Sequence, residues 1–178
     1  MYKLTSVLII GIVVALVAGV GVAGAAGSGA RFVGTRHAPG VSVHIAASGC
    51  RRGRLPDRRC TPGATFNVGA AQVCVSGYSQ RVRNVPESEK RQVYAEYGIR
   101  SHSSGQYEVD HLIPLELGGS NSIRNLWPEA ANPRPGFHEK DRLENKLHRL
   151  VCTVHSLSLR KAQSLIATNW LAAFNTYV

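Results

Sequence analysis

Acidic residues are scarce in this chain. Only 11 Asp and Glu stand against 21 Lys and Arg, for a formal net charge of +10. A surface so short of acid disfavours cationic partners and favours polyanions: nucleic acid, anionic lipid or cell-wall polymers. The four cysteines, Cys50, Cys60, Cys74 and Cys152, never fall in a CxxC spacing, which argues against a structural zinc ribbon. Internal repeats are missing, which excludes a solenoid. No apolar run long enough to span a bilayer follows residue 27. Nor is there a recognition helix, a zinc finger or a basic stripe interleaved with aromatics. Any contact with nucleic acid should therefore be mostly to phosphates, salt-sensitive and weakly selective for sequence.

What is present begins with an export signal. From Val7 to Gly27 every residue is apolar or Gly, and Lys3 is the only basic side chain before it. This is the layout of a secretory signal peptide over 1–30, with small-residue cleavage sites such as Ala23-Gly24-Ala25 and Ser28-Gly29-Ala30. An uncleaved signal anchor is the alternative. Either way the domain is expected to be secreted or extracytoplasmic, with no stable membrane association once the signal is removed. A membrane-anchored envelope protein is the third reading, resting only on that apolar start. The part after the signal keeps 20 Lys and Arg against 11 acids. It is long enough for one real but modest core.

An even number of cysteines in an oxidising compartment implies two disulfides, with three possible pairings. Cys50–Cys60 is favoured because it closes an Arg-rich loop. Cys74–Cys152 would then tie the early chain to its far end. Residues 31–60 read as a basic Gly/Arg-rich extension, and RRGRLPDRR between Cys50 and Cys60 is either a solvated charge run or a phosphate-contacting loop. Residues 61–178 read as the folded domain.

Within it, the alternation of AQVCV and QRVRNV in Phe66–Val85 predicts one or two strands, turning at Gly77. Pro86–Tyr97 predicts a helix with Glu87 and Glu89 in its first turn, Gly98 past its end, and Val93, Tyr94 and Tyr97 as its core stripe. Gln106–His111 predicts a strand and Leu126–Trp127 its short partner, with Pro114 and Gly118-Gly119 forcing a loop between them. Leu143, Leu147, Leu150 and Val151 recur at helical spacing after Pro133 and Pro135. A last helix, capped by Ser158, should bury Ala162, Leu165, Ile166, Trp170 and Phe174.

The chemistry concentrates in YEVDHLIPLELGGSNSIRNLWPE, Tyr107 to Glu129. Phosphodiester hydrolysis needs an activated water in line with the leaving oxygen and something to absorb negative charge. Adjacent strand residues face opposite ways. Asp110 and His111 can share that work because the strand ends there, Asp110 toward a metal and His111 toward the scissile phosphate. Glu108 shares the strand face of Asp110 and reads as a surface residue. Glu116 and Glu129 flank the loop as supporting or merely polar groups. His148 and His155 fit neither spacing.

The order DH at 110–111, GG at 118–119, NL at 125–126 and a helix beginning near His138 resembles the HNH nucleases, the ββα-metal group. CTPGA at 60–64 and KDRLENKLHRLVC at 140–152 are more loosely similar to exported bacterial members. The resemblance spans roughly Tyr107–Val151 and implies an α+β fold. The expectation is a single small domain around a ββα core (106–152), with additional helices and a disulfide-linked N-terminal extension. It implies His111 as general base, Asn125 as the residue that orients it or buttresses the loop, and Asp110 with His138 as metal ligands. Asp141, one turn on, could replace or join His138. Arg124, Lys140 and Arg142 stand where phosphate contacts would. One divalent ion, Mg²⁺, Mn²⁺, Zn²⁺ or Ni²⁺, is implied as cofactor. DNA, with RNA as a second substrate, is the implied target, cut at O3′ to leave a 5′-phosphate. No protein partner is implied. The competing expectation is a non-catalytic protein of the same fold that binds nucleic acid or an envelope polyanion.

Overall fold

The structure, a computed structural model, describes residues 49–178. The export segment and nearly all of the extension before Cys50 lie outside the described residues. Three helices come first: α1 (Ala70–Val73), α2 (Tyr78–Val82) and α3 (Glu87–Glu96). Strand β1 (Tyr107–His111) pairs antiparallel with β2 (Leu126–Ala130), and α4 (Phe137–Cys152) and α5 (Leu159–Tyr177) complete a small α+β domain. No helix among the described residues is long and apolar enough to cross a membrane.

The later elements follow the punctuation of the sequence. Pro86 precedes α3, whose Glu87 and Glu89 face the exposed N–H groups of its first turn. The Ser158 hydroxyl accepts from the Lys161 N–H at the start of α5. α4 and α5 pack together through Leu143, Leu147 and Val151 on one side and Ala162, Ile166, Trp170 and Ala173 on the other. Leu165 and Phe174 are only partly buried beside them. Val93 and Tyr97 of α3 and Leu126 and Trp127 of β2 close the same core. Each fully buried aliphatic side chain contributes about 1.5–3 kcal/mol. Thr61 locks the seam, meeting the Tyr97 hydroxyl at 2.8 Å and donating to the Leu126 carbonyl at 2.9 Å.

Phe66–Val85 departs from expectation. It holds α1 and α2 rather than strands, with Gly77 between them in the left-handed region (φ 74°). Runs this short satisfy either period, and tertiary ties decide between them. Cys74 is bonded to Cys152, and the Gln72 side chain caps the Gly69 N–H at 2.7 Å. Extended pairing is confined to a single bridge just before the segment, Thr65 to Gly119. β2 also runs further than its expected two residues. Pro128 is tolerated opposite Val109 because a two-stranded sheet leaves every strand an edge.

Both favoured disulfides form, Cys50–Cys60 and Cys74–Cys152, with sequence separations of 10 and 78. By loop-closure entropy the longer link is worth about 4.5 kcal/mol and the shorter about 2.7. The Arg-rich loop is docked, not merely solvated. Buried Asp57 accepts from the Arg51 and Arg59 backbone N–H groups and from the Arg59 guanidinium, while the Trp170 indole donates to the Arg54 carbonyl. The Arg59 guanidinium first, then the two backbone donors, hold the Asp57 carboxyl well below its ordinary value of 3.8. A depressed carboxyl stabilises the fold above that value and ceases to as pH falls through its native value. Asp57→Asn should therefore melt lower than wild type near neutrality. In thermal melts that gap should shrink steadily as pH drops below 3.8; a gap independent of pH would refute the assignment.

Candidate active site

β1 delivers Asp110 and His111 to the point where the sheet ends. Asp110 lies opposite Trp127, and His111 opposite Leu126. Beyond it the chain is held by Asn125, which is completely buried. Its Oδ1 accepts from the Ile113 N–H at 2.9 Å, and its Nδ2 donates to the Ile113 and Ser120 carbonyls, each at 2.9 Å. Asn125 thus buttresses the 112–125 loop and has no side-chain bond to His111. The loop also needs Gly119: a Cβ there would sit 1.7 Å from the Ile113 carbonyl oxygen and 2.8 Å from Asn125 Nδ2.

The residue that orients His111 is Asn121, which the sequence reading passed over although it closes the GGSN turn. Asn121 Nδ2 donates to the Val82 carbonyl at 2.7 Å, leaving Oδ1 to face His111 Nε2 at 3.2 Å. A carbonyl can only accept, so the amide orientation is determined, and with it the imidazole tautomer. Nε2 carries the proton and Nδ1 keeps a lone pair. The ring is 3% exposed. Burial lowers its pKa below 6.5 in spite of the opposing pull of Asp110 and Asn121. Near neutrality His111 is uncharged, as a base must be.

Lys140 corrects an expectation. Placed by sequence among the phosphate contacts, it is 0% exposed. It lies on the buried stripe of α4 between Phe137 and Leu143, and its ammonium turns into the protein. There it donates to Asp110 Oδ2 at 2.5 Å, to the His111 carbonyl at 2.8 Å and to Glu144 one turn along, with Glu129 at 3.8 Å. Burial alone would lower its pKa, but Asp110, Glu144 and Glu129 outweigh burial and hold it well above 10.5. The same ammonium overcomes burial at Asp110, whose carboxyl is held below 3.8. One cation cannot serve three carboxylates. Burial therefore pushes Glu129 and Glu144 upward, toward their neutral forms. Counted as a carboxylate, Glu129 has no hydrogen-bond partner. Protonated, it becomes a donor, and Asp110 is the acceptor beside it.

The remaining expected residues are scattered. His138 is exposed, its ring packed on Phe137 at 4.3 Å. Asp141 lies within electrostatic reach of both Asp110 and His138. Arg142 sits over the Phe174 ring at 5.6 Å, and exposed Arg124 contacts the fold through its backbone, its carbonyl accepting from the Gly63 N–H. The cations that do gather near His111 are Arg83, Lys90 and Arg91. They line a cavity of about 640 Å³ that reaches His111 and Glu108. Arg83 comes from the QRVRNV segment, whose alternation predicts a strand but which closes α2 instead, with Arg83 just past its end. Glu108 is pushed up to about 7, chiefly by burial and then by Asp110. Glu116 is raised by burial too, with His148 opposing, and its Oε1 has no partner.

Among the described residues no three His, Cys, Asp or Glu side chains form a ready metal-ligating group. The donors nearest that chemistry are the carboxylates of Asp110 and Glu144, 17% and 13% exposed, gathered on one ammonium. Hard oxygen donors of this kind fit Mg²⁺ or Mn²⁺ better than the softer ions. Asp141 and His138 are the groups α4 could add. No family model, curated protein or solved structure matches this chain.

Proposed function

We propose that the chain is a metal-dependent endonuclease of the HNH type, hydrolysing phosphodiester bonds in DNA, and in RNA as a second substrate, with little sequence preference. The observation that carries this is His111: a neutral imidazole with a free Nδ1, held by Asn121 beside Asp110 at the wall of a cation-lined cavity. Nothing in the packing of a small core calls for a buried, tautomer-locked histidine facing such a cavity. His111 Nδ1 would take a proton from the attacking water, and the Asn121 carbonyl would stabilise the imidazolium that results. Arg83 and Arg91 would hold phosphates, and Asn125 would keep the loop that presents His111 from drifting. A divalent ion held by Asp110 with Glu144, Asp141 or His138 would polarise the phosphate and stabilise the leaving O3′ oxygen. Two disulfides suit an oxidising compartment, in keeping with action outside the cytoplasm.

One observation favours the competing reading, a nucleic-acid or envelope-polyanion binder without turnover. Lys140 already neutralises Asp110, so the acidic cluster is complete without a metal. Plasmid nicking by the full, disulfide-bonded chain separates the two. Nicking with Mg²⁺ or Mn²⁺ that is abolished by EDTA is the expected outcome. A protein that retards plasmid and single-stranded DNA on a gel yet leaves both intact under Mg²⁺, Mn²⁺, Zn²⁺ and Ni²⁺ would be the binder instead.

A further inference from the structure

The cavity that holds these cations is also lined by aromatic rings. Tyr94 from α3, His102 from the connecting segment and Tyr107 at the start of β1 converge there from three stretches of chain. Tyr94 and His102 have ring centroids 4.5 Å apart at 36°, and His102 meets Tyr107 edge-on at 6.2 Å and 84°. Tyr94 was expected to serve the core, as its neighbours Val93 and Tyr97 do. It packs against that core yet stays only half-buried, and His102 is exposed. Among the described residues neither Arg83 nor Arg91 has an acidic partner within ion-pair distance, while Lys90 is paired with Glu87 at 2.6 Å.

From these placements we infer that the cavity is a subsite for a single-stranded stretch of polynucleotide. An unpaired base stacks on the Tyr94–His102–Tyr107 cluster, and the flanking phosphates ride on Arg83 and Arg91 toward His111. The inference deepens the nuclease reading by naming its substrate class, and rests on it for the role of His111. Tyr107 and His111 share one strand face four residues apart, a distance of about 13 Å. That is long enough for a base to be held while a neighbouring phosphate reaches the imidazole. Base faces are hidden in a duplex and free in a single strand, so aromatic rings beside cations select unpaired nucleic acid without reading its sequence.

The test measures binding apart from cutting. Fluorescence anisotropy of the full chain in EDTA would use three labelled probes: a short single-stranded oligodeoxynucleotide, the same sequence as duplex, and an abasic strand of equal length. The single strand should bind more tightly than either of the others. His102→Ala, at an exposed position that cannot unfold the protein, and Tyr94→Leu should each weaken single-strand binding about 5- to 100-fold. Both should leave abasic binding nearly unchanged. Arg91→Ala should weaken all three probes and flatten the salt dependence. Duplex binding as tight as single-strand binding, or aromatic variants that change nothing, would overturn the inference. Those results leave the nuclease reading intact if plasmid is still nicked. A single-strand preference in a protein that never cuts sustains the subsite and sinks only the catalytic reading.

Discussion

Replacing His111 with alanine should lower phosphodiester cleavage by about 10²- to 10⁴-fold, the usual worth of a positioned general base. Binding of nucleic acid should persist, because the phosphate contacts lie on Arg83 and Arg91. Some stability should be lost, because the buried imidazole also packs and bonds Asn121, so the variant is compared with wild type below its own melting temperature. A His111→Ala protein cutting at the wild-type rate would show that another group activates water. Asn121 gives a second check, because its Oδ1 orients the ring while its Nδ2 only ties the loop to the Val82 carbonyl. Asn121→Leu removes the acceptor that keeps the proton on Nε2, so Nδ1 is no longer reserved as base. Its rate should fall between wild type and His111→Ala, with substrate affinity unchanged. Its hydrogen bond also raises the pKa of His111, so losing it should move the acid limb of the rate–pH profile to lower pH. A merely structural role for Asn121 would lower the rate without moving that limb.

How much of this was legible beforehand depended on how local each signal was. β1, α3, α4 and α5 announced themselves because single residues punctuate them: Pro86 and Gly98 around α3, Gly118-Gly119 after β1, Pro135 before α4 and Ser158 before α5. The 66–85 segment misled because its apolar runs are shorter than either period needs, and ties such as the bond from Cys74 to α4 and the Gln72 cap on Gly69 favour helices. Asp110 and His111 were visible as types at a strand end. Asn121 was not, because its role depends on a carbonyl 39 residues away, at Val82. Lys140 was misplaced for the opposite reason. A helix lysine ordinarily faces water, but this one sits in register with Phe137, Leu143 and Leu147, and that register was the available clue.

Lys140 also carries the largest expected effect on stability. Lys140→Met keeps the length of the side chain and its packing on α4 but leaves Asp110 inside the protein without a counter-charge. Breaking a buried pair in this way costs about 3–5 kcal/mol. For a domain of this size that lowers the melting temperature by on the order of 10 °C or more. Glu129 and Glu144 can lessen the cost by holding their protons, but Asp110 has lost its ionic partner and its donor together. If the loss is electrostatic rather than steric, Asp110→Asn in the same chain should restore more than half of it, since a neutral amide needs no counter-ion. A double variant as unstable as the single one would assign the cost to packing instead. The same protein reports on the metal. With the ammonium gone, Asp110 and Glu144 are left as an uncompensated oxygen pair. Mn²⁺ alone should then raise the melting temperature of Lys140→Met more than that of wild type, because a ligand that binds only the native state stabilises it in proportion to its affinity. Equal shifts in the two proteins would mean that the cation, wherever it binds, does not share the carboxylates with Lys140, and would direct the search to the exposed pair His138 and Asp141.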